Sequence, residues 1–135
     1  MRKILTILYL LFSTLHAEVI NQYPSPEFLN SGITIIDIRT PAEWKETGII
    51  KGAVPLTFFD ERGNYDVPAF MKLLKSHVKE DQKFALICHV GSRTALVAKF
   101  LDQQYQMKVI NLLGGMDFLH KQGYKTVKFE ANHSL

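Results

Sequence analysis

Residues 33–39, Ile-Thr-Ile-Ile-Asp-Ile-Arg, are apolar and largely β-branched at nearly every position. A strand with one wet face alternates polar with apolar residues, whereas a run this short and continuous suits a strand covered on both faces, as in a parallel sheet. Parallel neighbours need a crossover between them, so such strands should alternate with helices. The rest of the chain supplies that alternation. Runs 84–88 and 108–112 have the same character, 53–59 gives a short strand interrupted by Pro55, and Val19 and Ile20 open a further apolar segment. Ser25, Pro26 and Gly32 bracket a short helix as cap, first turn and stop. Residues 40–46 read as a capped helix in which Glu43, at the third position, reaches back to the cap. From Asp66 a helix places Val67, Phe70, Met71, Leu74 and Val78 on one face, with His77 solvated at its end. Leu96, Val97, Phe100 and Leu101 supply the buried face of the next, which runs to about Gln104. Residues 113–116 turn into a last helix, 117–122, stopped by Gly123. The expected fold is an α/β domain with a largely parallel sheet of about five strands flanked by short helices.

A chain of 135 residues has room for one such domain with a single core. Its first residues, Met1-Arg2-Lys3, an apolar stretch from Ile4 to Phe12 and a small-residue end at Ala17, have the layout of a secretory signal peptide cut after Ala17. The apolar stretch is too short to span a bilayer comfortably, so no stable membrane insertion is expected after processing. The expected organisation is a leader at 1–17, a domain at 18–127 and a C-terminal tail at 128–135, with the mature protein periplasmic or secreted. Losing the leader removes two basic residues and no acidic ones, which leaves 14 Lys+Arg against 13 Asp+Glu. That near-neutral balance, without a basic cluster, argues against nucleic-acid binding. The single cysteine cannot form an internal disulfide.

That cysteine ends the run at 84–88 and is followed by His89, Val90, Gly91, Ser92, Arg93 and Thr94. We read the segment as a strand, an anion-cradling loop and a helix N-terminus, with Gly91 closing the loop and Ser92 or Thr94 capping the helix. Backbone N–H groups converging there, together with the helix dipole, would stabilise a thiolate or an anionic substrate. Arg93 adds a full charge and a planar donor fork.

The six residues from Cys88 to Arg93 resemble the active-site loop of rhodanese-like sulfurtransferases. Related cysteine phosphatases have one residue more, a ring wide enough for a tetrahedral phosphate, whereas six residues fit one sulfane sulfur. Asp37, Arg39, Glu43 and Trp44 are similar to the family's early Asp-x-Arg strand end and its following helix. The next family signature, Gly-His-Ile-Pro-Gly-Ala, stands here as Gly48-Ile49-Ile50-Lys51-Gly52-Ala53, so any role of that histidine is absent. Gly114 and Gly115 match the closing turn, with Leu119 where an aromatic is common. The resemblance covers about residues 20–124.

The resemblance implies that Cys88 is the catalytic nucleophile and that His89, Val90, Gly91, Ser92 and Arg93 bind substrate. Cys88 would take the outer sulfur of thiosulfate or a persulfide and pass it to cyanide, sulfite or a thiol, a protein thiol included. The loop amides would hold the terminal sulfur and Arg93 the oxyanion part of the donor. His89 stands where many members carry Arg, which weakens the case for a strongly anionic donor. No cofactor or metal is expected, and His77, His89, His120 and His133 match no metal-ligand spacing. The alternative function is a sulfur carrier without turnover, or a redox-sensing binding module, using the same cysteine. A phosphatase or arsenate-reductase-like reading predicts hydrolysis of a phenyl phosphate, which is not expected. Asp37, Arg39 and Glu43 are read as a structural polar cluster and Trp44 as packing. Phe58 and Phe59, near the family's site mouth, are expected to divide between core and partial exposure. The segment beyond Tyr124 has no expected position.

Overall fold

The structure is a computed structural model and describes residues 18–131. The expected leader, 1–17, and residues 132–135 lie outside the described residues. In chain order the elements are β1 (Ile20–Gln22), α1 (Pro26–Leu29), β2 (Ile35–Asp37), α2 (Pro41–Thr47), β3 (Val54–Pro55), α3 (Val67–His77), β4 (Phe84–Ile87), α4 (Ser92–Tyr105), β5 (Val109–Leu112) and α5 (Gly115–Lys121). The five strands form one sheet in the order β1-β5-β4-β2-β3, and every pair is parallel. The expectation from residues 33–39 therefore holds. The strand there is shorter than its apolar run, because only residues 35–37 find ladder partners, and of these only Ile36 and Asp37 find them on both sides. Pro55, which cannot donate to a ladder, sits in the edge strand β3.

The starts of α1 and α2 follow the expected chemistry. Ser25 Oγ accepts from Phe28 N at 3.1 Å, with Pro26 in the first turn. Thr40 and Glu43 form a reciprocal capping box at α2. Asp66 caps α3 through Ala69 N at 3.0 Å. The last helix begins at Gly115, two residues earlier than expected.

The sheet separates two apolar layers, and alternation along β4 assigns residues to each. Phe84 and Leu86 face the layer filled by Phe70, Met71 and Leu74 of α3 and Val97, Ala98 and Leu101 of α4. Ala85 and Ile87 face Phe28 of α1 and Met116 and Leu119 of α5. Burial of each large aliphatic or aromatic side chain contributes about 1.5–3 kcal/mol, so a central strand buried on both faces anchors whatever follows it. Leu96 departs from expectation. It is 65% exposed, because the buried stripe of α4 runs through Thr94, Val97, Ala98 and Leu101, and position 96 falls outside it.

The segment beyond Tyr124 lies against α2. Val127 and Ile49 form an antiparallel bridge, Thr126 Oγ1 donates to Thr47 O at 2.8 Å, and the Phe129 ring lies 5.2 Å from that of Trp44. Trp44 is buried, as its reading as a packing residue required. No described helix is long and apolar enough to cross a membrane.

Candidate active site

Cys88 follows β4 directly and continues its alternation, so its side chain joins Phe84 and Leu86 on the α3/α4 side of the sheet. The sulfur is thereby delivered to the N-terminus of α4, a helix of 14 residues whose dipole favours negative charge there. Two groups reach it. Gly91 N donates to Sγ at 3.2 Å, and Thr94 Oγ1 lies 3.5 Å from Sγ. Cys88 is 1% exposed, so the atom sits at the floor of the loop. The helix is not capped by a side chain. Gly91 is the N-cap, in the left-handed region at φ 97°, and Ser92 and Thr94 are already helical. A capping hydroxyl needs an extended N-cap residue, and the loop's curvature leaves none. Thr94 Oγ1 instead donates to Gly91 O at 3.1 Å while facing Sγ.

The outer side of the loop is fastened to α5. Met116 N donates to Cys88 O and Asp117 N to His89 O, each at 2.9 Å. With those carbonyls drawn outward, the loop's amide side is left for the sulfur. The close approach depends on Gly115, at φ 57°, where a Cβ would lie 2.6 Å from His89 O and closer still to Cys88 O. Sequence reasoning read Gly114 and Gly115 only as a turn. Two consecutive glycines opening a helix were the available signal for a backbone approach of this kind.

Arg93 directs its fork to Glu43. Nη1 donates to Glu43 Oε2 at 2.9 Å and Nη2 to Glu43 Oε1 at 2.7 Å, a two-pronged pair joining the N-termini of α4 and α2. The side chains are 25% and 29% exposed. The hydrogen bond from Arg93 holds the Glu43 carboxyl down at about 2, against a raising effect of burial and with help from Thr40 N–H. Arg93 is correspondingly pushed above the ordinary guanidinium range, with Glu43's hydrogen bond the largest cause. The Arg93 donors, which the resemblance assigns to a substrate oxyanion, hold the Glu43 carboxylate in this structure. One expectation changes here: Glu43 does not join Asp37 and Arg39. That buried pair stands separately: Arg39 Nη2 meets Asp37 Oδ2 at 2.8 Å and Gly48 O at 2.7 Å, and Nη1 reaches Thr47 Oγ1 at 2.7 Å. It ties the end of β2 to the end of α2, as a structural role requires.

The other loop residues form the rim. His89, Val90 and Ser92 are exposed, so the loop presents one imidazole, one apolar side chain and one hydroxyl to whatever approaches. Phe58 is buried and Phe59 half-buried, the division expected of them, and Phe58 belongs to the same apolar layer as Cys88. Among the described residues no three His, Cys, Asp or Glu side chains gather where they could share a metal ion. Chemically, the site offers one sulfur at a helix N-terminus with an N–H donor on it and, beside it, a hydroxyl whose one proton can turn from Gly91 O to a thiolate, an arrangement that favours negative charge on sulfur.

The chain is similar in sequence and fold to several known proteins. The chain is similar to Protein HIGH ARSENIC CONTENT 1, mitochondrial, of Arabidopsis thaliana, with 25% identity over 99 residues, 73% of this chain and 59% of that protein. The match thus spans less than two thirds of the relative's length. Among solved structures, a Rhodopseudomonas palustris protein described as a possible tyrosine phosphatase shares 29% identity at a TM-score of 0.53, covering 73% of each chain. A rhodanese-related protein from Thermoplasma volcanium aligns at a TM-score of 0.55 with 23% identity, over 81% of this chain and 96% of that one. Rv0390 of M. tuberculosis aligns at 0.58 with 17% identity, over 73% and 80%. These last two bear on the fold alone. The family model for the rhodanese-like domain matches residues 24–122, which takes in every strand but β1 and the whole Cys88 loop, and the chain belongs to that family.

Proposed function

We propose that the protein is a sulfurtransferase that carries sulfane sulfur as a persulfide on Cys88. The observation that supports this most directly is the convergence of Gly91 N–H and Thr94 Oγ1 on a sulfur delivered to the N-terminus of α4. In the first step the Cys88 thiolate attacks the outer sulfur of a donor. The donor's S–S bond breaks, and its electron pair leaves with sulfite when the donor is thiosulfate, or with a thiolate when it is a persulfide. In the second step a nucleophilic acceptor attacks the outer sulfur of the Cys88 persulfide, and the Cys88 thiolate is regenerated. The sulfur atom moves between nucleophiles, so no outside oxidant or reductant enters the cycle.

Family membership supports sulfur-transfer chemistry, and the site tells against oxyanion hydrolysis. A phosphate or arsenate ester needs a fork open to its equatorial oxygens, and Arg93's fork is filled by Glu43. The names of the arsenic-related and phosphatase-described relatives make that alternative worth testing in the same assay. We place the reaction in the periplasm, with residues 1–17 as the leader and a small thiol or protein thiol as acceptor.

The test is mass spectrometry of the peptide holding Cys88 after incubation with thiosulfate and, separately, with glutathione persulfide. A gain of about 32 Da, one sulfur atom, is expected, absent in Cys88→Ser and lost on adding cyanide or a thiol. Loading without release identifies a carrier instead. No loading from either donor, or hydrolysis of p-nitrophenyl phosphate, overturns the assignment.

A further inference from the structure

We infer that Glu43 is a specificity-determining residue: by occupying both prongs of Arg93 it makes the Cys88 site select thiol persulfides over dianionic thiosulfate. The inference rests on the sulfur-transfer reading and names the donor class that reading leaves open.

Arg93 is the one side chain of the loop that carries a permanent positive charge, and its two terminal nitrogens point to the two oxygens of Glu43 at 2.7 and 2.9 Å. The pair is charge-neutral, so Arg93 offsets the negative charge of the Cys88 thiolate only in part, and an approaching donor meets the remainder. The two charges of thiosulfate add to that repulsion, and its sulfonate oxygens find no open fork. A thiol persulfide carries at most one charge on its sulfur pair and needs no oxyanion contact to be attacked at its outer sulfur. For it the Gly91 amide and Thr94 hydroxyl suffice. Glu43 is also anchored in place. Its Oε2 accepts from Thr40 N at 3.0 Å within the capping box, so the carboxylate is fixed from the α2 side and cannot follow Arg93 if the latter swings toward the loop. Against this background the acidic residue acts through Arg93 and touches no substrate. It is a positioning residue.

Glu43→Gln isolates the charge, because Gln at the same helix position keeps the acceptor for Thr40 N–H. Two readouts are compared in wild type and variant. The first is the ratio of kcat/KM for thiosulfate to that for glutathione persulfide, expected to rise about tenfold through a fall in the thiosulfate KM. A merely structural role would lower kcat for both donors together. The second is independent of turnover: the rate of Cys88 alkylation by iodoacetate relative to iodoacetamide, which reports local charge, expected to rise about threefold. Adding Arg93→Ala to Glu43→Gln should abolish both gains, since the released cation carries them. Ratios unchanged in Glu43→Gln, or gains that persist in the double variant, overturn the inference while leaving sulfur transfer standing. A Cys88 that neither reagent alkylates and neither donor loads removes the sulfur-transfer reading, and this inference with it.

Discussion

Gly115 is the position where a single methyl group should do the most damage at the least chemical cost. In Gly115→Ala the new Cβ would fall inside van der Waals contact of both Cys88 O and His89 O, backbone atoms that cannot rotate aside. Holding Ala in the left-handed conformation costs about 1–2 kcal/mol. Relieving the clash pushes the loop off α5 and weakens the bonds from Met116 N and Asp117 N, about 1 kcal/mol each. The sum is about 3–4 kcal/mol, a large share of the roughly 5–15 kcal/mol that holds a domain of this size. Urea unfolding followed by the fluorescence of Trp44, the chain's one tryptophan, should show the midpoint falling by about 2 M or more. Sulfur loading of the folded fraction should fall about a hundredfold, because a displaced loop no longer aims Gly91 N–H at Sγ. Gly63→Ala is the control: Gly63 is also left-handed, but a Cβ there meets open space, so about 1 kcal/mol and no loss of loading are expected. If Gly115→Ala shifts the midpoint no more than Gly63→Ala and loads at the wild-type rate, the loop is not held by α5.

Thr94→Val should slow sulfur loading about tenfold or more, measured under single-turnover conditions, because it removes a hydroxyl beside Sγ. Equal rates would mean that the hydroxyl serves only Gly91 O. The Glu43–Arg93 pair makes stability pH-dependent with a definite sign. Glu43 is depressed in the fold, so the stabilisation is complete above its unfolded value of 4.5 and is lost as pH falls toward about 2. The stability gap between wild type and Glu43→Gln, about 1 kcal/mol after solvent screening, should therefore be constant above pH 5 and close below 4 in urea titrations. Phe129→Ala should uncover Trp44, cost about 2–3 kcal/mol and shift its emission to the red; an unshifted spectrum would show that Phe129 does not cover it.

The parallel sheet was readable because its central strands are apolar at consecutive positions, a pattern only double-sided burial explains, and β4 and β2 bear this out. Thr40 and Ser25 were readable as caps because their chemistry is local. The errors cluster where geometry is set across the chain. Ser92 and Thr94 have capping side chains, but the turn after Cys88 places Gly91 at the cap, and nothing at residues 92–94 signals that. Glu43 was assigned to Asp37 and Arg39 because they are near in sequence, whereas its partner stands 50 residues on. Leu96 is apolar yet outward, a reminder that hydrophobicity names candidates for burial and helical phase selects among them. The strapping of residues 126–129 over α2 depends on a bridge between Ile49 and Val127 that no local pattern announces.

The first strand of the sheet pairs with the last. Ile20 lies beside Ile110 and Gln22 beside Leu112, and Asn21 Oδ1 takes a hydrogen bond from Asn111 across the same seam. During folding, then, β1 has no sheet partner until the chain as far as β5 is available, and it pairs across the widest separation in the sheet. Closure of that edge is a late, non-local event with a correspondingly slow search. Until it happens, one border of β5 stays open to pairing with foreign strands, so the folding protein is most vulnerable to aggregation, and most available to chaperones, along that edge.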